Sequence, residues 1–247
     1  MTRFFLDTEY TNGNYYQGDI FEIALVSENT YRIFHQYVKI PYSVPNNVKR
    51  LCNISDKVLQ QKGVSFTHMI KRLTRFVKSE TETPTIIAHA GYAFDFPLLF
   101  TNCMKRNLNV QIIFQNYAFV DSVKVLQNAG VRKPGLHTIA NASYQRHSAV
   151  SDAKTLVDVF NNKEMYANLI RQNDIKYSVN DMLQVLRKKL PISIDDLCYL
   201  SSSVNTREEL TYILKQYVRI KIALSSEQLL KVSIYAFKYL CLKYENF

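Results

Sequence analysis

The 247-residue chain has no tryptophan and contains only 6 Gly, 6 Pro and 4 Cys. So few glycines and prolines exclude collagen-like and linker-like proteins. The cysteines lie far apart in apolar surroundings and form no C-x-x-C pair. They are therefore predicted to be reduced core residues of an intracellular protein rather than a disulfide framework. They are Cys52, Cys103, Cys198 and Cys241.

Long hydrophobic runs are also missing. No stretch approaches the roughly 18 apolar residues that a membrane span needs. In the N-terminal MTRFFLDTEY, acidic residues interrupt the apolar stretch before the core of a signal peptide would be complete. We expect a soluble protein of the cytoplasm or nucleus that does not contact membranes. Hydrophobic residues still make up 47% of the chain, which excludes a disordered protein.

Acidic residues are the scarcer charge, with 21 Asp and Glu against 31 Lys and Arg and a net charge of +10. A basic excess makes a polyanion a natural partner, because Lys and Arg that displace condensed counterions gain affinity. Many soluble proteins are equally basic for other reasons, so charge alone leaves the partner open. The positions of the few carboxylates are more informative.

The spacing of apolar residues predicts an α/β fold over the first two thirds of the chain. Short segments rich in β-branched and aromatic residues predict three antiparallel strands, at 3–7, 20–27 and 31–40. Two or three helices after Pro45 precede two buried strands, at 85–90 and 116–122. Further helices are predicted at 94–106, 122–129, 136–143 and 151–162. A meander followed by β-α-β units predicts a mixed five-stranded sheet flanked by helices.

The composition changes at Arg171. The following residues include no Gly and one Pro, Pro191, and their apolar residues recur at helical spacing, which predicts three or four helices. We therefore divide the chain into an α/β domain, residues 1–168, and an all-helical extension, residues 169–247. The role of the extension stays open between holding DNA, dimerisation and docking of a partner.

Five chemically active residues stand at predicted strand ends and helix starts. Asp7 and Glu9 end the first strand, and residues two apart on a strand point to the same face, so both carboxylates can reach one cation or a pair. Asp95 is predicted one turn into a helix that follows a buried strand. His147 lies in a polar loop, and Asp152 enters the next helix. Each position has an ordinary structural explanation, such as an acid at a helix N-terminus, but the combination predicts one site.

At these residues the chain resembles the DEDDh exonucleases, a family with a ribonuclease H-like sheet, and most closely the TREX-type three-prime repair exonucleases. The resemblance covers residues 3 to about 162 and excludes the helical extension. The step from His89 to Asp95 and the DFPLL ending are typical of the TREX branch. The resembling stretches, in the family's order, are FFLDTEYTNG, RLCNISDKVLQQKG, IIAHAGYAFDFPLL, NYAFVDSVKVLQNAG, PGLHTIANASY and HSAVSDAKTL.

The resemblance implies that Asp7, Glu9, Asp95 and Asp152 are ligands of two divalent cations, Mg²⁺ or Mn²⁺, and that His147 is the general base. Hard oxygen ligands suit these ions. Two such ions, about 3.5–4 Å apart, can generate the attacking hydroxide and stabilise the leaving 3′ oxygen. A neutral histidine near pH 7 can take the proton of the attacking water.

The resemblance also implies that Thr8, Leu51 and His89 bind substrate, with Leu51 at the position of an apolar wedge residue. Two residues depart from the family pattern. Ala90 stands where the family usually has Asn, and Gly13 stands where TREX-type enzymes often have another apolar wedge. These departures affect the stacking of the terminal base rather than the metal chemistry.

Other residues have two explanations. Asp121 is predicted to cap a helix rather than bind metal. Tyr117, Phe119 and Tyr144 either stack on nucleobases or belong to the core. Three basic clusters either follow phosphates or form solvated helix faces, at 71–75, 105–106 and 187–189.

The sequence thus predicts a metal-dependent 3′-to-5′ exonuclease that releases nucleoside 5′-monophosphates from DNA and prefers single-stranded 3′ ends. An RNA-trimming exoribonuclease of the same family stays open, because the five chemical residues do not read the sugar. An inactive nucleic-acid-binding module is disfavoured, because all five residues are present. A homodimer stays open, and the Asn-, Tyr- and Lys-rich composition is compatible with a viral protein in a host cell.

Overall fold

The computed structural model describes residues 2–13, 18–140, 147–162, 164–171 and 175–188. The strands in that part of the chain are β1 Arg3–Tyr10, β2 Ile20–Ser27, β3 Ile33–Tyr37, β4 Thr85–Ala88 and β5 Ala118–Asp121. The helices there are α1 Asn46–Leu51, α2 Asp56–Lys62, α3 Phe66–Lys78, α4 Asp95–Met104, α5 Val110–Ile113, α6 Ser122–Asn128, α7 Leu136–Ile139, α8 Ala149–Asn161, α9 Glu164–Arg171 and α10 Val179–Lys188.

The five strands form one mixed sheet in the order β3-β2-β1-β4-β5. The first three pair antiparallel, and β4 and β5 join them in parallel. The predicted meander and β-α-β order are therefore confirmed. Because β1 is the central strand, the acids at its end lie in the middle of the sheet, where helices from both layers can reach them.

The differences from the predicted elements include the start of β3 and a helix that was not predicted. β3 begins at Ile33 rather than at residue 31, because Tyr31 has a φ of 54° and donates its N–H to the carbonyl of Ser27, which closes a turn. The short helix α5 was not predicted. Its first turn is capped by Asn109, whose side chain accepts the N–H of Ile112.

Helices cover both faces of the sheet. On one face Phe5 packs against Phe160 of α8, with ring centroids 5.5 Å apart. On the other face Phe76 of α3 packs against Phe4, with ring centroids 6.1 Å apart. Phe119 of β5 is fully buried beneath the aromatic rings of α4, so it belongs to the core, as does Tyr117. Tyr144 lies outside the described residues.

The amphipathic helix α3 shows why the helical segments form where the sequence predicts them. Its buried residues recur at intervals of three and four, and Ser65 caps its first turn by accepting the N–H of His68. The basic cluster at 71–75 lies on this helix, and Arg72 donates there to Gln36. Within the described residues no helix is both long and apolar enough to cross a bilayer. Cys52 and Cys103 are buried free thiols, as predicted.

The first compact unit continues past the predicted boundary at residue 168 and runs from Met1 to Met182. Tyr177 extends the sheet, because it exchanges two backbone hydrogen bonds of 2.8 and 2.9 Å with Phe119 on the outer strand β5. Ile175, Val179 and Met182 are buried. The second unit, Leu183–Phe247, is described only to residue 188, so most of the predicted tail helices, the basic cluster at 187–189, Cys198 and Cys241 lie outside the described side chains.

Candidate active site

Three of the predicted metal ligands meet at the end of β1. Asp7 and Glu9 lie two apart on this strand, and Asp152 lies in the first turn of α8, which packs over the same face of the sheet. One carboxylate oxygen from each residue lies within 4.8 Å of the others. Three hard oxygen donors this close together form a suitable ligand set for a divalent cation.

Asp95 reaches the same pocket from the opposite layer. It is the first residue of α4 rather than one turn inside it, because Ala93 and Phe94 donate to the carbonyl of Ala90 in a tight turn just before the helix. Its Oδ1 accepts the N–H of Thr8 at 3.0 Å and the hydroxyl of Thr8 at 2.7 Å. The hydroxyl of Thr8, a predicted substrate contact, is thus engaged in orienting Asp95.

All eight sequence-predicted site residues line one pocket of about 610 Å³. The predicted ligands, His147, Thr8, Leu51 and His89 are therefore brought together from β1, α1, α4, α8 and the segment after β4. Sequence reasoning missed several other residues of this lining. They are Tyr10, Thr11, Asn12, Pro45, Asn47, Val48, Cys52 and Phe94, beside Gly13, which was noted only as a departure from the family pattern.

Burial and mutual repulsion make the acids of this pocket difficult to ionise without a cation. Burial raises the pKa of Asp7 well above its usual range, and the neighbouring charges of Asp95 and Asp152 raise it further. Burial raises the pKa of Glu9 to about 7, although the Cys52 thiol opposes this shift. The pKa of Asp95 is also raised to about 7 by burial, against the hydrogen bonds from Thr8.

Cys52 contacts a predicted ligand directly. Its buried thiol donates to Oε2 of Glu9 across 3.2 Å. Burial and the adjacent Glu9 carboxylate raise the pKa of the thiol above its usual range, so it stays a donor at neutral pH. The sequence carried no signal for this contact, because the two residues lie 43 positions apart.

His147 is attached to the acid cluster through its backbone. Its N–H donates to Oδ2 of Asp152 across 3.2 Å, and its φ of 58° places it in the left-handed region. This conformation is uncommon for a residue with a side chain. The backbone bond to Asp152 holds the half-buried imidazole at the pocket.

His89 is a neutral member of the pocket. Its Nδ1 lies 2.9 Å from the hydroxyl of Ser122. Burial, assisted by the nearby His137, lowers the pKa of His89 to about 4. The ring is therefore uncharged at pH 7 and can offer a hydrogen bond, but no positive charge, to a substrate.

Asp121 shapes the turn before Asp95 instead of joining the acid cluster. Its carboxylate accepts the N–H of Val123 at 2.9 Å, which caps α6, and the N–H of Tyr92 at 3.2 Å. The predicted role as a helix cap is confirmed, and the same carboxylate holds the segment that leads to Asp95.

Two exposed apolar side chains flank the acids. The side chain of Leu51 is 54% exposed and that of Phe94 is 41% exposed, although both line the pocket. The ring of Phe94 is stacked on Tyr10, with centroids 6.3 Å apart. Exposed apolar surface in a pocket lined by acids suits a flat base, since aromatic side chains stack on nucleobases.

No lysine or arginine lines this pocket among the residues that the structure describes. Its titratable lining consists of four carboxylic acids, two histidines, Tyr10 and Cys52. Such a surface repels a phosphate group unless cations occupy it. The donor set therefore fits divalent cations, and the residues that would hold them are Asp7, Glu9, Asp95 and Asp152.

Ala90 offers a direct test of how this turn is built. Its φ of 55° is unfavourable for alanine and better tolerated by asparagine. We expect Ala90→Asn to raise the free energy of unfolding by about 1 kcal/mol, measured by urea denaturation. The control is Ala93→Asn in the same turn, at an exposed position without a positive φ. A gain for both variants, or for neither, would contradict this explanation.

Known exonucleases match this chain in sequence profile and in fold. The sequence profile of the exonuclease family (RNase_T) matches residues 4–160. No curated protein sequence gave a significant match. E. coli exonuclease I in complex with a dA16 oligonucleotide superposes with a TM-score of 0.55 and 13% identity over 68% of this chain and 43% of that chain. This chain thus spans less than half the length of that enzyme.

Two further solved structures share the fold. The nuclease domain of 3′hExo, a DEDDh family member bound to rAMP, gives a TM-score of 0.54 and 15% identity over 64% of this chain and 88% of that one. The cell-death related nuclease 4 (CRN-4) gives a TM-score of 0.53 and 12% identity over 65% of this chain and 62% of that chain. At such identities, structural likeness shows a common fold.

Proposed function

We propose that this chain, which belongs to the exonuclease (RNase_T) family, is a 3′-to-5′ exonuclease of the DEDDh type. The proposed reaction degrades DNA from the 3′ end to nucleoside 5′-monophosphates, with a preference for single-stranded ends. The observation that carries the proposal is the approach of carboxylate oxygens of Asp7, Glu9 and Asp152 to within 4.8 Å, in a pocket shared with Asp95 and His147.

In the proposed reaction Asp7, Glu9, Asp95 and Asp152 hold two divalent cations, Mg²⁺ or Mn²⁺. When bound, these ions supply Lewis-acid stabilisation of the charge that develops on the phosphate and the leaving oxygen. Thr8 keeps Asp95 oriented through its two hydrogen bonds. His147 takes the proton of the attacking water as general base.

The apolar sides of the pocket support a single-stranded end as the substrate. Leu51 and the stacked pair of Tyr10 and Phe94 line the pocket and offer surfaces for a terminal base. Stacking of a base on an aromatic side chain is worth about 1–3 kcal/mol and tolerates any base. A paired terminal base would first have to leave its partner, so unpaired ends should react faster.

RNA is the second candidate substrate. The structure of 3′hExo holds rAMP, whereas that of E. coli exonuclease I holds a deoxyadenosine oligonucleotide. Both have the fold of this chain. Discrimination between the two sugars needs a contact to the 2′-hydroxyl, and the relative rates on DNA and RNA of one sequence report it.

The test uses 5′-labelled oligonucleotides of one sequence as single-stranded DNA, blunt duplex DNA and RNA, each with Mg²⁺, with Mn²⁺ and with a chelator. We expect a ladder that shortens one nucleotide at a time from the 3′ end, fastest on single-stranded DNA and absent with the chelator. A matched oligonucleotide with a 3′-phosphate controls for the free 3′ end. Faster degradation of RNA than of DNA would make RNA the preferred substrate. Cuts inside the strand, or activity in the presence of the chelator, would overturn the proposal.

A further inference from the structure

A closed ring of hydrogen bonds lies just beyond the acids and joins the residue after β1 to the residue before β2. Thr11 donates its N–H to the carbonyl of Asp19 across 3.0 Å. The N–H of Asp19 donates to Oγ1 of Thr11 across 3.1 Å. Both residues are buried. These two bonds fix Thr11 and Asp19 to each other.

Tyr42 completes the ring from another segment. Its hydroxyl donates to Oδ2 of Asp19 at 2.5 Å, and the Thr11 hydroxyl lies 3.3 Å from it. Because the proton of Tyr42 is used on the carboxylate, the Thr11 hydroxyl must be the donor to Tyr42. Each hydroxyl then donates one bond and accepts one bond, so the direction of every bond is fixed.

The other oxygen of Asp19 is held by cations that follow α4. Nη2 of Arg106 lies 3.1 Å from Oδ1 of Asp19, and Nζ of Lys105 lies 3.8 Å from it. Lys105 also donates to the carbonyl of Gly18 at 2.8 Å. The basic cluster at 105–106 therefore contacts Asp19 and Gly18 within the protein. These contacts account for the positions of Lys105 and Arg106 without a bound phosphate.

The guanidinium of Arg106 is itself oriented by its surroundings. It donates to the carbonyl of Asn102 and to the side-chain oxygen of that residue, each at 3.1 Å. It also lies over the ring of Phe66, 4.7 Å from the centroid. Contacts of this kind fix the direction from which Arg106 approaches Asp19.

These bonds connect the two walls of the pocket to the helix that begins with Asp95. Thr11 belongs to the wall formed by residues 10–13, and Tyr42 lies three positions before Pro45, where the wall formed by residues 45–52 begins. Arg106 follows the end of α4, whose first residue is Asp95. One network therefore sets the distance between the two walls. It also sets their position relative to Asp95, a predicted metal ligand.

We propose that Thr11, Asp19, Tyr42 and Arg106 form a positioning network that fixes the width of the pocket for one nucleic acid strand. This inference rests on the proposed function of the pocket. The network touches neither the acid cluster nor His147 through any of the bonds described above. It therefore acts on strand binding, and its loss leaves the hydrolytic step intact.

The ion pair between Asp19 and Arg106 is partly buried, and such a pair fits a positioning role. Burying charge costs solvation, so such pairs contribute little net stability compared with apolar packing. Their bonds are directional, however, and loss of one partner leaves the others unsatisfied. Apolar contacts have no preferred direction, so they would let the walls shift against each other. The directional bonds of Thr11, Asp19, Tyr42 and Arg106 favour one arrangement of the walls.

The test compares Tyr42→Phe with wild type on two substrates, a single-stranded 20-nucleotide DNA and the p-nitrophenyl ester of thymidine 5′-monophosphate. The ester reports hydrolysis at the metal centre without a strand. We expect Tyr42→Phe to raise the KM for the oligonucleotide about five- to tenfold, as for the loss of one or two hydrogen bonds. The kcat on the oligonucleotide and the kcat/KM on the ester should stay within about twofold of wild type.

Two further variants sharpen the comparison. Asp19→Asn keeps the shape of the side chain but loses the charge that binds Arg106, so its effect on KM should be at least as large. Tyr31→Phe is the matched control. Tyr31 is exposed and its hydroxyl accepts from Asn161 outside the pocket, so this variant should behave as wild type on both substrates. Thermal unfolding of each variant confirms that it is folded.

An unchanged oligonucleotide KM in both folded network variants would overturn the proposal. Equal losses on the oligonucleotide and the ester would also overturn it, since the network would then act on hydrolysis. If wild type degrades no nucleic acid but hydrolyses the ester, the proposed function fails instead, independently of the variants.

Discussion

Replacing Asp7 with asparagine is expected to abolish exonuclease activity and, at the same time, to stabilise the metal-free protein. Asp7 lies between the other acids at the end of β1, and burial and repulsion both raise its pKa. Asparagine keeps the shape but removes the charge. Two unit charges about 4 Å apart repel by about 1 kcal/mol in a water-like dielectric and by more where they are buried. We expect the free energy of unfolding of the metal-free variant to rise by at least that amount.

The pH dependence of stability follows from the same acids. The pKa values of Glu9 and Asp95 are raised to about 7 in the folded protein, whereas unfolded carboxyl groups titrate near about 4. Between these values the folded state holds protons that the unfolded state has released, so the stability of the metal-free protein falls as the pH rises. Its Tm should be higher at pH 5 than at pH 8, and Asp7→Asn should reduce this difference.

Calorimetry with and without Mg²⁺ checks these expectations. At pH 8 the cation should raise the Tm of wild type, because it compensates the ionised acids, and should have less effect on Asp7→Asn. Asp158→Asn is the matched control, since this exposed acid lies on the same helix as Asp152 but outside the pocket. An Asp7→Asn enzyme with full turnover would remove Asp7 from the ligand set.

Removal of the imidazole of His147 should give the second large loss. We expect turnover to fall by roughly a hundredfold to ten-thousandfold, the usual contribution of a general base, with little change in the affinity for substrate. The preferred variant is His147→Asn, because asparagine tolerates the left-handed backbone of this position better than alanine. The backbone N–H that binds Asp152 is retained in either variant.

Single-turnover kinetics across a pH series separates the role of His147 from a structural one. A general base must be unprotonated to accept the proton of water, so the wild-type rate should fall on acidification. Added imidazole should restore part of the activity of His147→Ala. His68→Ala on the exposed side of α3 is the control. A rate that is independent of pH through neutrality, with chemistry rate-limiting, would exclude His147 as the base.

The sheet was accessible to sequence reasoning because its signals are local. The apolar runs of the central strands and the change to helical spacing after Pro45 each reflect burial of one segment, and the chain order then limits the topology. The end of the first compact unit was not accessible. It depends on the pairing of Tyr177 with Phe119, and no local pattern shows which distant residue will pair with an edge strand.

The candidate site divides in a similar way. Its acids and His147 were found because they stand at strand ends and helix starts and match a family pattern. The contacts that orient them were missed. The bond from the Thr8 hydroxyl to Asp95 was not predicted, and the role of Thr8 as a substrate contact stays a prediction. Cys52 reaches Glu9 only through the folded chain. Phe94 had a usable signal, since it is an aromatic residue immediately before a predicted ligand.

The bridge between Tyr177 and Phe119 has a practical meaning for anyone who shortens this protein. A chain cut at the predicted domain boundary, residue 168, would lose Tyr177 and would bare the N–H and C=O of Phe119 on β5. An uncovered strand is a template for self-association, and the buried side chains of residues 175–182 would leave apolar gaps. Such a fragment would be expected to aggregate, whereas a version that retains residue 182 would keep its outer strand protected during expression and crystallisation.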